Sequence, residues 1–277
     1  MGDPSDRLLV ALDVDGLDQA TSLLDNVSGV VTGCKIGYQL FTAAGPAAVE
    51  AARKRGFRVF LDLKYHDIPN TVAGAVREAT RLGVFMLNVH AGGGLAMMRA
   101  AAEAATRAAK DLAVPRPICL GVTVLTSLDR HALDAELGIV STVESHVLRL
   151  AGLAKAAGLD GCVDSAREIG PLRLQFGKKF VIVTPGIRLP AGGTRSASPQ
   201  TPLIAGRATT ASPQTPLIAE RATESVIATP GTDDQVRTAT AAAAIEAGAD
   251  YIVVGRPITT APNPRAAAQA VLEELSG

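Results

Sequence analysis

Short apolar runs rich in β-branched residues recur along the whole chain, at residues 8–12, 33–37, 59–63, 85–89, 118–125, 161–163, 180–184 and 251–255. Between them lie alanine-rich stretches with helical spacing, at 46–55, 71–82, 94–111, 144–157 and 233–247. Brief apolar runs bounded by turn formers read as buried strands, and their alternation with helical stretches implies parallel pairing through crossovers. Eight such units in about 250 residues match a closed α/β (β/α)8 (TIM) barrel better than an open doubly wound sheet. The expectation is a single domain over residues 1–277, with its active site at the C-terminal ends of the strands.

That arrangement makes the polar residues legible. Asp13, Lys35, Asp62, Lys64, Asn88, Thr123 and Arg256 all fall at or just past strand ends. The densest cluster is Asp62-Leu63-Lys64-Tyr65-His66-Asp67-Ile68-Pro69-Asn70-Thr71, directly after an apolar run. Successive strand side chains point to opposite faces, so Asp62 and Lys64 share one. Two ionisable groups on one face of a buried strand are costly unless they pair or do chemistry. A structural salt bridge accounts for an isolated Asp-x-Lys. Seven polar residues converging on one rim point instead to a site.

Two segments suit a phosphate. Thr184-Pro185-Gly186-Ile187-Arg188 follows the seventh strand, and Val254-Gly255-Arg256-Pro257 the eighth. Those two loops are where barrel enzymes commonly hold phosphate, with glycine allowing close backbone approach and arginine supplying bidentate donors. His90-Ala91-Gly92-Gly93-Gly94 also looks phosphate-cradling but lacks the spacing, and reads as close packing of strand against helix. His66 reads as a supporting residue rather than a general base, and His131 and His146 are assigned no role.

One region breaks the rhythm. Residues 197–209 (ASPQTPLIAGRAT) and 211–223 (ASPQTPLIAERAT) differ only at Gly206 and Glu220. The copies look like a local tandem duplication rather than a solenoid, which needs longer units and at least three of them. Residues 189–232 therefore form an unusually long loop, read as a tolerated insertion or a lid.

Composition narrows the partners. Formal net charge is zero and aromatics are 3% of 277 residues, which argues against a nucleic-acid surface. No apolar run approaches the length that spans a membrane. The acidic start, Met1-Gly2-Asp3-Pro4-Ser5-Asp6, fits neither a signal peptide nor a myristoylation site. Cys34, Cys119 and Cys162 sit singly in apolar runs, as reduced core thiols do. These features point to a cytoplasmic protein acting on a small molecule.

Asp13 in ALDVD, Lys35 in CKIG, LDLKYHDIPNT, Leu125-Thr126-Ser127, PGIR, the DDQ at Asp233–Gln235 and VVGRPIT occur in order. Together they resemble the orotidine 5′-phosphate decarboxylase family over essentially the whole chain except residues 189–232. The resemblance implies conversion of orotidine 5′-monophosphate to uridine 5′-monophosphate and carbon dioxide, without metal or organic cofactor. It implies that Asp62 faces the substrate carboxylate and that Lys64 protonates C6. Lys35 and Asp13 would hold ribose hydroxyls. Asp67 and Ile68 would complete the neighbouring site of a homodimer, within an alternating Lys35–Asp62–Lys64–Asp67 chain. Thr126 or Ser127 would contact the pyrimidine, and Arg188, Gln235, Gly255 and Arg256 the phosphate. The duplication falls in the loop that closes over that phosphate, ahead of Gln235, and predicts weaker or slower closure.

Two rival readings remain. A metal-dependent decarboxylase or aldolase acting on a sugar phosphate shares the Asp-x-Lys-x-x-Asp spacing, but such barrels carry a metal-binding carboxylate on strand 2, where this chain has Lys35. A nucleotide-phosphate-binding protein without activity is the other.

Overall fold

The computed structural model describes residues 3–188 and 238–276. Eight parallel strands close into a barrel in sequence order, with β1 pairing both β2 and β8. They are β1 (Leu8–Ala11), β2 (Gly33–Gly37), β3 (Arg58–Tyr65), β4 (Met86–His90), β5 (Ile118–Val122), β6 (Gly161–Val163), β7 (Val181–Thr184) and β8 (Tyr251–Val254). All eight expected strands are present, with ends moved by no more than a few residues. The expected helices at 46–55, 71–82, 94–111 and 144–157 are also found. The last one expected starts only at Ala241, and the first part of its predicted span lies outside the described residues.

Five helices escaped the sequence reading: Leu17–Val27, Tyr38–Ala44, Ile169–Phe176, Arg256–Thr259 and Pro264–Ser276. Three are short, and a short helix carries little periodicity of its own because tertiary packing supplies most of its stability. Pro264–Ser276 buries only Ala268 and Val271, a stripe too narrow to register.

Period-two alternation divides the core into two layers. Leu8, Val10 and Leu12 join the layer beneath the helices, whereas Leu9 and Ala11 fill the barrel with Phe60, Met86, Leu120, Val183 and Val253. The same parity decides the site. Cys34 and Ile36 pack outward, so Lys35 between them points inward. Leu61 and Leu63 pack outward around Asp62, and Leu87 and Val89 around Asn88. Lys35, Asp62 and Asn88 thus cap a column of apolar side chains at its C-terminal end.

Close approach of strands needs small residues. A Cβ on Gly161 would overlap the carbonyl of Val181 across the β6–β7 pair, where backbone cannot yield. Gly161→Ala is expected to lower stability by about 3 kcal/mol or more, since overpacking a tight core costs ~1–3 kcal/mol even where side chains can move. Thermal unfolding checks this, and an unchanged Tm would contradict it.

The chain on either side of residues 189–237 is stitched together. Ile187 and Ala239 form a parallel bridge; the Arg188 N–H donates to the Ala239 carbonyl (2.9 Å) and the Ala239 N–H to that of Gly186 (3.3 Å). A loop whose ends are already joined tolerates added length, because each doubling costs only about 0.6 kcal/mol of closure entropy. The lid or insertion expected at 189–232 lies outside the described residues.

Candidate active site

Asp62 is the hub of the inner rim. Its carboxylate accepts from Lys64 Nζ at 2.8 Å and from Asn88 Nδ2 at 2.7 Å through Oδ1, and lies 3.3 Å from Lys35 Nζ through Oδ2. Lys35 Nζ donates in turn to Asp13 Oδ1 at 3.0 Å. Asp62 is buried (8% exposed), so its charge persists only because it is matched on several sides. Burial alone would raise its pKa, but Lys35 and Lys64, with the hydrogen bonds of Lys64 and Asn88, outweigh that and hold it below the usual carboxylate range. Burial likewise works against the Lys35 ammonium, yet Asp62 and Asp13 hold its pKa above the ordinary value. Gly37 keeps this corner open, since a Cβ there would stand 3.0 Å from Lys35 Nζ.

The backbone at Lys64 is unusual. Its φ is +37°, in the left-handed region that a side chain disfavours, at a cost of about 1–3 kcal/mol. The β3–β4 register shifts between Leu61 and Tyr65. Alternation alone therefore predicted the right neighbours for Lys64 but not the bulge that aims it. The Lys64 ammonium also sits 5.5 Å from the centroid of the Tyr38 ring.

After β3 the chain turns through His66, Asp67 and Ile68 into the helix Pro69–Arg81, with proline preorganised in the first turn. Asp67 is exposed and accepts from the Ile68 N–H at 2.6 Å; Ile68 is 68% exposed. Within one chain Asp67 does not join the ion-pair chain, which among the described residues runs Asp13–Lys35–Asp62–Lys64. His66 lies beside His90, ring centroids 5.4 Å apart. Burial first, then the neighbouring His66 and Lys64, lowers the His90 pKa below the ordinary histidine value. A Cβ on Gly93 would overlap the Met97 sulfur, whereas Cβ atoms on Gly92 and Gly94 would meet open space, so of the three glycines after β4 only Gly93 is closely packed.

The remaining candidates occupy the same end of the barrel. Thr126 and Ser127 form a turn beyond β5, Arg188 follows β7, and Gly255 and Arg256 follow β8. A Cβ on Gly255 would sit 3.8 Å from Asp13 Oδ2, which places that turn beside the charged cluster. Gln235 lies outside the described residues.

The family model for orotidine 5′-phosphate decarboxylase / HUMPS matches residues 6–212 and 207–271. The chain belongs to this family. The overlap between the two matched spans falls where one copy of the repeat ends and the next begins. The orotidine 5′-phosphate decarboxylase of Moorella thermoacetica is 48% identical over 270 residues, covering 98% of this chain and 92% of its own. That of Vibrio cholerae is 42% identical over 276 residues, covering 100% and 98%. Among solved structures, the Lactobacillus acidophilus enzyme of the same name superposes with a TM-score of 0.76 at 31% identity, covering 98% of this chain and all of that one.

Sequence reasoning passed over some buried polar residues near the strand ends. Asp164, just past β6, is buried and accepts a hydrogen bond from the Thr123 hydroxyl, and buried Glu168 accepts one from Ser165. Position after a strand was the available signal for Asp164, and it went unused. His146, given no partner from sequence, is buried in the helix Val143–Ala156 with its Nδ1 3.3 Å from Arg149 Nη2. All three cysteines are buried, and burial raises the Cys34 and Cys119 thiols to about 12, as inert core residues. Among the described residues no helix is long and apolar enough to cross a membrane.

Proposed function

We infer that this protein decarboxylates orotidine 5′-monophosphate to uridine 5′-monophosphate. The observation that carries the inference is the Asp62 carboxylate clamped between Lys35 and Lys64 at the inner rim of a barrel from the decarboxylase family. The substrate carboxylate is placed against Asp62. At about 3 Å and an effective dielectric near 20, that juxtaposition costs on the order of 5 kcal/mol, which loss of carbon dioxide relieves. Lys64 stabilises the charge developing at C6 and then delivers its proton there. Contacts remote from the reacting bond supply the binding energy that holds substrate in this place.

The remaining roles are those that the family resemblance implies. Lys35 and Asp13 take the ribose hydroxyls. Thr126 or Ser127 contacts the pyrimidine, while Arg188, Gln235, Gly255 and Arg256 grip the phosphate. Asp67 and Ile68 complete the site of a second copy in a homodimer, a role supported by the exposure of the Ile68 side chain at a helix entry. Residues 1–277 act as one barrel domain, with the duplication carried as an enlarged loop between β7 and β8.

Lys35 on β2 weighs against a sugar-phosphate enzyme that needs a metal-binding carboxylate there. The deciding experiment follows the orotate absorbance when EDTA-treated protein meets orotidine 5′-monophosphate. Rapid loss of absorbance is expected. Activity that requires added Mg²⁺ would favour the metal-dependent reading, and tight binding of uridine 5′-monophosphate without turnover would leave a binding protein.

A further inference from the structure

We propose that Asn88 is the positioning residue that holds Lys64 and Asp62 in reacting geometry, through one side-chain amide that bonds to both. The inference rests on the decarboxylase reading of the site. Asn88 is fully buried on the inward face of β4, where an amide without partners would be costly. Its Nδ2 donates to Asp62 Oδ1 at 2.7 Å, and its Oδ1 accepts from the Lys64 backbone N–H at 2.8 Å.

The register explains why a side chain is needed. Leu61 pairs with Leu87 and Tyr65 with Val89, so residues 62–64 of β3 confront the single residue Asn88 on β4. The backbone ladder lapses across that bulge, and the Asn88 amide supplies the acceptor that the lapsed ladder denies Lys64. That bond holds Lys64 at its φ of +37°, and the donor on the same amide fixes the carboxylate that the Lys64 ammonium meets. A carbonyl toward Lys64 and an NH2 toward Asp62 satisfy both partners at once, as neither an apolar side chain nor an ionised carboxylate can.

The chemistry of a carboxyl group makes this testable through Asn88→Asp. While ionised, the introduced carboxylate would accept from the Lys64 N–H but oppose Asp62. Once protonated, it would reproduce the amide, its O–H donating to Asp62 and its carbonyl accepting from Lys64. Among the described residues the charged and titratable groups around it are Asp62, Lys64, Lys35, Asp13, Tyr38, His66 and His90, all present in the parent, so the ratio of variant to parent at each pH isolates this one position.

The experiment measures kcat, KM and binding of uridine 5′-monophosphate for the parent, Asn88→Leu and Asn88→Asp, per folded site, from pH 5 to pH 8 (a range of roughly the span in which histidines and raised carboxylates titrate). Asn88→Leu is expected to lose about 10²-fold in kcat, the scale of a misplacement near 1 Å, with little change in product affinity. Asn88→Asp is expected to be impaired at neutral pH and to recover relative to the parent as pH falls. Recovery on acidification would support positioning even if Asn88→Leu fails to fold, because a purely structural role does not predict it. An Asn88→Asp ratio that is flat with pH, or an Asn88→Leu kcat within about threefold of the parent, would overturn the proposal. A parent that leaves the substrate intact would overturn the decarboxylase reading as well, whereas an active parent beside unimpaired variants overturns this inference alone.

Discussion

Replacing Lys64 with alanine is expected to lower kcat by about 10⁴-fold or more while the barrel stays folded. General-acid proton delivery contributes roughly 10²–10⁴-fold and a preorganised charge at a developing anion about 10²–10³-fold, and Lys64 is assigned both. The fold survives because Asp62 keeps Lys35 at 3.3 Å and Asn88 at 2.7 Å. The substitution also removes one long side chain from a left-handed backbone position without changing the backbone bond to Asn88. Affinity for uridine 5′-monophosphate, which carries no carboxylate at C6, should change by less than about tenfold, the scale of one hydrogen bond. Stopped-flow and steady-state absorbance with binding calorimetry check both halves. A variant that retained more than about 1% of parental kcat could not have lost its only proton donor of this class.

Asp62→Asn should separate two contributions that the parent combines. Without the carboxylate the substrate meets no like charge, so its binding should tighten while kcat falls, by as much as about 10³-fold if most of the ~5 kcal/mol of repulsion is released at the transition state. A fall in kcat with unchanged KM would assign Asp62 to stabilising the lysines instead. Stability should drop as well, by about 3–5 kcal/mol, because among the described residues the neutral amide leaves Lys35 with only Asp13 and Lys64 with no carboxylate.

Acid makes the same change reversibly. The folded pKa of Asp62 lies below its unfolded value of about 3.9, so its stabilising contribution is fully present above that pH and is lost as pH falls through the lower, folded value. For Lys35 the folded pKa lies above the unfolded value near 10.4, so its contribution is complete below that pH and disappears only as pH rises through the folded value. Between the two the charged cluster is intact, and denaturation curves across pH should show a plateau bounded on the acid side by Asp62. Asp62→Asn should shrink that acid limb to what Asp3, Asp25, Glu50 and Glu78 contribute.

Which of these residues could be read before folding depended on whether local pattern or long-range packing placed them. The eight strands were legible because each is a short apolar run between turn formers, and parallel order followed from the helices between them. Lys35, Asp62 and Lys64 could be grouped because strand alternation and the strand-end rule are local. Asp164 obeys the same rule, directly after the run at 161–163 that was read as a strand, and was passed over. The helices at Tyr38–Ala44 and Ile169–Phe176 were missed because their stability comes from docking on the barrel rather than from their own periodicity.

The succession of parallel strands and helices, the inward parity of Lys35, Asp62 and Asn88, and the family's motif were therefore determined by sequence alone, since each depends on residue type and local spacing. Only the closed barrel decided the rest. It brought β4 against β3 with a slipped register, turned Asn88 from one polar rim residue into the partner of both Asp62 and Lys64, and held Lys64 at positive φ. It also left Asp67 outside the single-chain ion-pair network. The physical reason is common to all of these: a bulge and a buried amide's choice of partners are settled by neighbours distant in sequence, where closure of the sheet outweighs the preference of any one residue.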